Sequence, residues 1–231
     1  MLTVFGNHLV RYSFIAVGLW WASFAQITYS ALPNNVYGVK PKGAGYIWNG
    51  FKELKKVAKQ LKSLVNIRRF LRAFFVYNMG VQTVMVMAVL FAKKEVDWDG
   101  EGDTGLIISV LIIQFVAIAG AFLFSRLSAR LGNVPVLAMS LVIWVGVALS
   151  AYVIITPMQF YILAGVVGLV MGGIQSLSRS TFSKLLPKTK DHASFFSFYD
   201  VLEKIGIVIG TFLFGFIAVS YTHLTLPTNC V

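Results

Sequence analysis

The stretch FYDVLEKIGIVIG, residues 198–210, is mostly apolar, yet it contains three charged residues within five consecutive positions. Asp200 and Lys204 are four residues apart, so on a helix they share a face and can pair, with Glu203 beside them. If the hydrocarbon begins at Phe195, the helical rise puts Asp200 about 7–8 Å deep and Lys204 about 13–14 Å deep. At that depth a charge pair indicates a pathway for a solute or a proton, whereas three charges at the membrane interface would be ordinary.

Three amides supply further candidate polar groups. Asn78 and Gln82 are four residues apart at the centre of FLRAFFVYNMGVQTVMVMAVLF, residues 70–91, and Gln114 lies in the middle of a separate apolar stretch. An amide in hydrocarbon must find a partner, which is either a neighbouring helix or a solute in a polar cavity. Both alternatives are open from the sequence alone. If the amides converge, they form a substrate-binding site together with Asp200 and Lys204.

A second group of polar residues is a candidate for gating or coupling. Gln175 and Arg179 are four residues apart at the end of GGIQSLSRS, residues 172–180. Arg179 is predicted to lie at the membrane boundary, where an arginine either anchors its helix by snorkelling or serves as a gate or anion contact. Glu203 joins this group, because either it or Asp200 could carry a proton along with the solute.

The composition is that of a membrane protein. Of 231 residues, 57% are hydrophobic and only 13% are charged, where about a quarter would be charged in a soluble domain. Cys230 is the only cysteine, which excludes disulfides and cysteine-based metal sites, and His8, His192 and His223 are scattered. The sequence has no Ser/His/Asp set, metal cluster or phosphate-binding loop. We therefore predict no enzymatic activity, no metal and no cofactor.

Six stretches are long and apolar enough to span a bilayer, which needs about 20 mostly apolar residues. None shows the strict alternation of a barrel strand, and the first is too long for a signal peptide. The sequence therefore predicts an all-α, polytopic membrane helical bundle with six transmembrane helices. Their predicted bounds are 12–32, 70–92, 105–125, 134–155, 158–177 and 195–218.

The charges of the loops predict the orientation of the spans. Residues 33–69 carry nine lysines and arginines against one acid, Glu53, so the positive-inside rule makes this segment cytoplasmic. Residues 93–104 carry two lysines and five acids, which puts them on the opposite side. The position of residues 33–69 between two spans explains their basic charge, so the charge does not indicate nucleic-acid binding. Within the basic segment, apolar residues at three- and four-residue steps predict an amphipathic helix on the inner leaflet: Ile47, Phe51, Leu54, Ala58, Leu61 and Val65.

Five segments together resemble the C-terminal half of a major facilitator superfamily transporter: YNMGVQTV (77–84), IIQFVAIAGA (112–121), LSARLGN (127–133), GGIQSLSRS (172–180) and FFSFYDVLEKIG (195–206). They are similar to the bacterial permease branch related to fungal vacuolar amino-acid effluxers. The resemblance covers about 12–218 and implies helices 6–11 of a twelve-helix fold. Residues 1–32 would then hold the last helix of the N-terminal half, 33–69 the basic cytoplasmic linker, and 70–218 a truncated C-terminal half-bundle.

Two features depart from the family pattern. The loop between the third and fourth spans reads LSARLG, so Ala129 stands where the family often has an acid beside Arg130. Arg130 is therefore a gating candidate without the acid that would complete the latch. The last residues, VSYTHLTLPTNCV at 219–231, resemble a translated sequencing adapter. We expect them to be an artefactual tail on a truncated reading frame.

The resemblance implies a secondary active transporter, a permease or effluxer that moves a small solute by alternating access, with amino acids as the substrate class. Its expected partners are the lipid bilayer, the solute, a coupled proton and the missing N-terminal half-bundle, in a bacterial inner (plasma) membrane. An alternative from a different class is a non-transporting membrane sensor or scaffold, which would use the basic linker to bind lipid or a partner.

Overall fold

The computed structural model describes residues 2–32, 46–98, 100, 102–187 and 192–225. Within these ranges the chain is all-α, with seven α-helices, one short 3-10 turn and no strand. In chain order the helices are α1 (Leu2–Ala31), α2 (Tyr46–Ser63), α3 (Val65–Glu95), α4 (Gly102–Leu131), α5 (Asn133–Ser150), α6 (Pro157–Leu185) and α7 (His192–Thr225), and the 3-10 turn Ala151–Val153 follows α5.

Four of the described helices are long and apolar enough to cross a membrane: α3, α4, α6, and α5 together with the turn that follows it. They confirm the predicted all-α membrane helical bundle and cover four of the six predicted spans. α1 and α7 cover the other two, 12–32 and 195–218, and that these helices cross the membrane remains a prediction. α7 continues to Thr225 instead of ending at 218, and residues 226–231 of the predicted tail lie outside the described residues.

The chain divides into two compact units, Met1–Trp48 and Asn49–Val231. In the first unit α1 is one continuous helix, and its side chains from residue 12 onward are almost all exposed. The rings of Trp20 and Phe24 stack on its surface with their centroids 4.6 Å apart. Residues 33–45 of the predicted linker lie outside the described residues. The second unit holds the helices that build the candidate site.

α6 is the central helix of the second unit. Pro157 begins it, and a capping box fixes its first turn, because Thr156 Oγ1 accepts a hydrogen bond from the backbone N–H of Gln159. Further along, Val170 and Ile174 are buried against α5, whose Val136 has no exposed surface. This packing fixes α6 relative to its neighbours, and with it the positions of the polar residues in the last turns of the helix.

Small residues bring α4 and α6 into backbone contact. A Cβ built on Gly168 would lie 2.5 Å from the carbonyl oxygen of Ile113, and one built on Gly172 would overlap the backbone of Ala117. Gly165 is in looser contact, since its Cβ would lie 3.9 Å from the nearest atom of α4. The glycine edge predicted on this helix is thus a packing surface between two helices.

A second glycine contact joins α3 to α7. A Cβ built on Gly210 would overlap Thr83 and lie 3.0 Å from the carbonyl oxygen of Met79, so the two backbones approach closely there. Gly206, one turn earlier, has room for a Cβ, which would lie 3.7 Å from the ring of Phe75. The predicted GxxxG edge is therefore tight at one of its two glycines. This contact brings the amide-bearing face of α3 opposite the charged part of α7.

An α-helix, α2, lies where the amphipathic helix is predicted, but its apolar side packs against protein and not, as predicted, against the inner leaflet. Val57 and Leu61 are buried in a cluster with Ile67 of α3 and Phe195 of α7, so this side rests on protein. Phe51, which belongs to the predicted apolar stripe, is exposed. The reason is that the ends of α3, α6 and α7 offer apolar side chains, a surface that the sequence of the linker cannot reveal.

Candidate functional site

A polar cavity of about 90 Å³ lies between α3, α6 and α7. At roughly 10–15 Å³ for each ordered water, it has room for several waters or a small solute. Its apolar walls are Phe74, Val81, Met171 and Ile174, and its polar lining is Asn78, Gln82, Gln175, Ser178, Arg179, Tyr199 and Glu203. The structure thus brings together five of the residues singled out in the sequence, from three different helices.

An ion-pair network ties the three helices together beside this cavity. Arg179 Nη2 of α6 lies 3.0 Å from Asp200 Oδ1 and 3.8 Å from Glu203 Oε2, both on α7. Gln82 Nε2 of α3 donates a hydrogen bond of 3.3 Å to the other carboxylate oxygen of Glu203. One guanidinium therefore serves two carboxylates, and an amide shares one of them.

The partner of Asp200 differs from the predicted one. Spacing along α7 favours a pair with Lys204, but in the structure Asp200 pairs with Arg179 of α6. Lys204 is exposed and makes no hydrogen bond or ion pair with any other residue that the structure describes. The same guanidinium nitrogen, Nη2 of Arg179, lies nearest to both carboxylates, so the observed pairing joins α6 to α7 instead of running along α7.

The carboxylates of Asp200 and Glu203 sit in different surroundings. The Asp200 side chain is 48% exposed and does not line the cavity. The Glu203 side chain is only 17% exposed and does line it. Glu203 is therefore the carboxylate that a bound solute would contact, while Asp200 pairs with Arg179 outside the cavity lining.

Asn78 is the most unusual polar group of the cavity. It is only 8% exposed, yet its Nδ2 has no hydrogen-bond partner among the residues that the structure describes. A buried donor without a partner costs about 1–3 kcal/mol, so such groups normally have one. Because Asn78 is among the residues that line the cavity, a rotation of its amide would bring Nδ2 to an acceptor atom held there.

Aromatic residues that the sequence did not single out hold the network in position. The ring of Tyr199 stacks on Phe74 with centroids 4.2 Å apart, and Arg179 Cζ lies 5.7 Å from the centroid of Tyr199. Tyr77 Oη and Ser178 Oγ share a hydrogen bond of 2.7 Å between α3 and α6. The only signal in the sequence is that Tyr199 and Ser178 each precede a predicted site residue, Asp200 and Arg179 respectively.

Four predicted site residues do not line the cavity: Asp200, which pairs with Arg179 beside it, and Gln114, Lys204 and Arg130. Gln114 is exposed on α4, Lys204 is exposed on α7, and Arg130 is exposed near the end of α4. A substrate-binding role for Gln114 and Lys204 and a gating role for Arg130 stay predictions. Among the residues described, no group of three His, Cys, Asp or Glu side chains is close enough to hold a metal ion.

A separate polar cluster ties the start of α5 to the end of α6. Asn133, in the LSARLGN segment, donates from Nδ2 to Ser180 Oγ at 3.0 Å and accepts from Lys184 Nζ at 2.9 Å. It is buried and follows Gly132, whose φ of +88° makes the sharp break after α4. The cluster joins the two helices at the segment where the family pattern would place its acid.

The Asn133→Ala variant is expected to lower the free energy of unfolding by about 1–3 kcal/mol, because it removes two hydrogen bonds and leaves Lys184 without its acceptor. Thermal unfolding of the detergent-solubilised chain measures the loss. Asn66→Ala, at an exposed position of α3, is the matched control and should leave the transition midpoint unchanged. Equal midpoints for the two variants would show that the cluster contributes nothing to stability.

Comparison with known proteins places the chain in a family. The family model described as "Vacuole effluxer Atg22 like" matches residues 3–227. The chain is 33% identical over 202 residues to "Uncharacterized MFS-type transporter YxiO" of Bacillus subtilis, which covers 87% of this chain and 45% of that protein. It is 27% identical over 243 residues to "Autophagy-related protein 22" of Yarrowia lipolytica, which covers 93% of this chain and 40% of that protein. No solved structure matches.

Proposed function

Because the chain belongs to the Vacuole effluxer Atg22 like family, whose bacterial relative is described as an MFS-type transporter, we propose that it is part of a secondary transporter of small solutes that works by alternating access. The chain spans less than half the length of the two relatives named above. The activity of the whole protein is accordingly part of the proposal. The family is described as one of vacuole effluxers and the Bacillus subtilis relative as an MFS-type transporter, and we propose no enzymatic reaction for the chain.

The unpartnered amide of Asn78 is the observation that carries this proposal. A solute with an acceptor atom in the cavity would accept a hydrogen bond from Asn78 Nδ2 and meet the carboxylate of Glu203. Gln82 and Gln175 would add amide contacts from two facing helices. The cavity combines apolar walls with a few convergent polar groups, which is the arrangement found in binding sites for small molecules.

We propose an amino acid or a similar metabolite as the solute. The ammonium group of such a molecule would bind near Glu203, and its carboxylate would accept from Asn78 and face Arg179. The volume of about 90 Å³ favours a compact solute. The size of the cavity and the presence of groups of both charges support this substrate class.

Proton coupling is a second element of the proposal, with Glu203 as the carrier. Glu203 lines the cavity, and it shares one guanidinium with Asp200, so the network has one negative charge in excess. A proton on Glu203 would neutralise that excess in an environment where charge is costly. Asp200, which is more exposed and closer to Arg179, is the less suitable carrier.

The proposed architecture follows the twelve-helix pattern. Residues 1–32 would supply the last helix of an N-terminal half-bundle, 33–69 a cytoplasmic linker, and 70–218 most of the C-terminal half. A complete N-terminal half-bundle would close the pathway on the open side of the cavity, which agrees with relatives about twice as long as this chain. The chain is an integral membrane protein, and we propose the bacterial plasma membrane as its location.

The test is solute transport by the complete transporter that contains this segment, reconstituted in vesicles. Asn78→Ala is expected to lower the initial rate of amino-acid uptake by about tenfold, since it removes the proposed hydrogen bond to the solute. Asn66→Ala makes the same chemical change at an exposed position of α3 and should transport normally. Equal rates for both variants would remove the cavity from the transport pathway.

A further inference from the structure

The orientation of α2 about its own axis is fixed by its contacts with the bundle. Val57 and Leu61 are 1% and 6% exposed, and they pack in one cluster with Leu71 of α3 and Phe182 of α6. Leu64 alone separates α2 from α3, and Arg68 Nη1 donates a hydrogen bond of 3.1 Å to the carbonyl oxygen of Lys62. The helix can therefore present only one side away from the protein.

That outward side is a continuous basic surface. Successive residues of a helix are about 100° apart, so residues 52, 56 and 59 lie roughly opposite residues 57 and 61. The lysines of this side are all exposed, and we call them the basic face of α2: Lys52, Lys55, Lys56, Lys59 and Lys62.

The basic face continues into α3 and has almost no compensating acid. Arg68, Arg69 and Arg72 are exposed at the start of α3, so residues 52–72 hold eight basic residues. Glu53 is the one acidic residue in this stretch, and it pairs with Lys56 at 3.6 Å. The surface is thus strongly complementary to a negatively charged partner.

Aromatic side chains at the start of α2 indicate what kind of partner this is. Trp48 and Phe51, in its first two turns, are 72% and 63% exposed. Exposed tryptophan and phenylalanine beside lysines are typical of helices that lie in the interface of a membrane with anionic lipids. Because α2 connects directly to α3, a membrane-spanning helix, the basic face is held within reach of the headgroups.

We propose that the basic face of α2 binds the anionic headgroups of the surrounding membrane, with Trp48 and Phe51 inserted among them. The helix is then held between two surfaces, the apolar ends of α3, α6 and α7 on one side and lipid on the other. The cluster that fixes α2 includes Phe74 and Tyr199, which also line the polar cavity. The lipid contact is independent of which solute the cavity takes.

A fluorescent probe on α2 tests the proposal on the chain itself. Cys230→Ser removes the native cysteine, and Ser63→Cys provides an uncharged attachment point on the exposed side for an NBD label. In vesicles that contain phosphatidylglycerol, the label is expected to emit at shorter wavelength and with higher intensity than in pure phosphatidylcholine vesicles. Raising KCl from 0.1 to 1 M should remove the difference, because it shortens the Debye length from about 10 Å to about 3 Å.

Two matched double variants identify the responsible charges. Lys55→Gln/Lys59→Gln is expected to lower the apparent affinity for phosphatidylglycerol by about tenfold or more. Lys93→Gln/Lys94→Gln removes the same charge at the far end of α3 and should leave the response intact.

Three results would overturn the proposal. The first is equal emission in neutral and anionic vesicles, and the second is an equal loss in both double variants. The third is the same response to inorganic phosphate added to neutral vesicles, which would assign the face to a free anion instead of a lipid surface.

Discussion

A valine at position 172 is expected to abolish the folded bundle, so that the Gly172→Val chain is recovered only as aggregate. A Cβ at this position would overlap the carbonyl oxygen of Ala117 and lie 3.0 Å from the backbone nitrogen of Ala121. These atoms belong to the backbone of α4, which cannot turn aside as a side chain can. Overpacking costs about 1–3 kcal/mol where neighbours can adjust, and a contact that forces two helices apart costs more.

The control is a valine at a glycine that meets nothing. A Cβ on Gly146 of α5 would have no atom within 4 Å, so Gly146→Val should give normal amounts of monodisperse protein. Size-exclusion chromatography of the two variants in detergent, followed by thermal unfolding, measures the difference. Similar yields and midpoints for both would mean that α4 and α6 do not approach as closely as the structure shows.

The helices and their tight edges could be predicted because they depend on local patterns. Apolar length identifies a membrane helix, and glycines at four-residue spacing identify where two helices can approach, as Gly168 and Gly172 do. The first and last residues of the helices were harder to predict from the sequence. α3 begins at Val65, whereas the predicted span begins at 70, since a helix can continue past the apolar stretch that marks its span.

The candidate site could be predicted only where two polar residues are spaced to share one face of a helix. Asn78 and Gln82 share a face of α3, and that face meets α7, so both reach the cavity. Gln114 does not line the cavity and is exposed on α4. Because α4 is apolar on every side, nothing in its sequence tells which side faces protein. The role of Gln114 in solute binding therefore stays a prediction.

Contacts between distant segments were the least predictable part. The pairing of Asp200 with Arg179 depends on how α6 and α7 pack, whereas the predicted pairing with Lys204 used spacing along one helix. The basic linker illustrates the same limit. Its amphipathic pattern predicts a helix with an apolar side but cannot decide between lipid and protein as the surface that side covers, and Val57 and Leu61 pack on protein.

Removal of the Arg179 guanidinium is expected to have the largest effect on the network, because Asp200 and Glu203 then face each other without a cation between them. Two carboxylates left without compensation in a membrane helix are costly, and loss of a hydrogen bond to a charged group adds about 1.5–3 kcal/mol. The side chain of Asp200 is half exposed, which reduces the penalty there, while Glu203 bears most of it. Arg179→Gln should therefore lower the free energy of unfolding by about 1–3 kcal/mol. It should also lower solute transport by the complete transporter by at least about tenfold, since the network no longer holds Glu203 in the cavity.

A double-mutant cycle separates this electrostatic effect from lost packing. If the ion pair carries the effect, Asp200→Asn should be milder than Arg179→Gln, and the combination of both should cost less than their sum by about 0.5–3 kcal/mol. Arg179→Lys should fall between wild type and Arg179→Gln, since a lysine keeps the charge but lacks the planar guanidinium that lies near the ring of Tyr199. Arg126→Gln is the matched control, because that arginine lies over the ring of Phe122, at 4.8 Å, and should cost no more than about 1 kcal/mol. Strict additivity in the cycle, or equal losses for the two Arg→Gln variants, would show that Arg179 only anchors the end of α6 and does not organise the site.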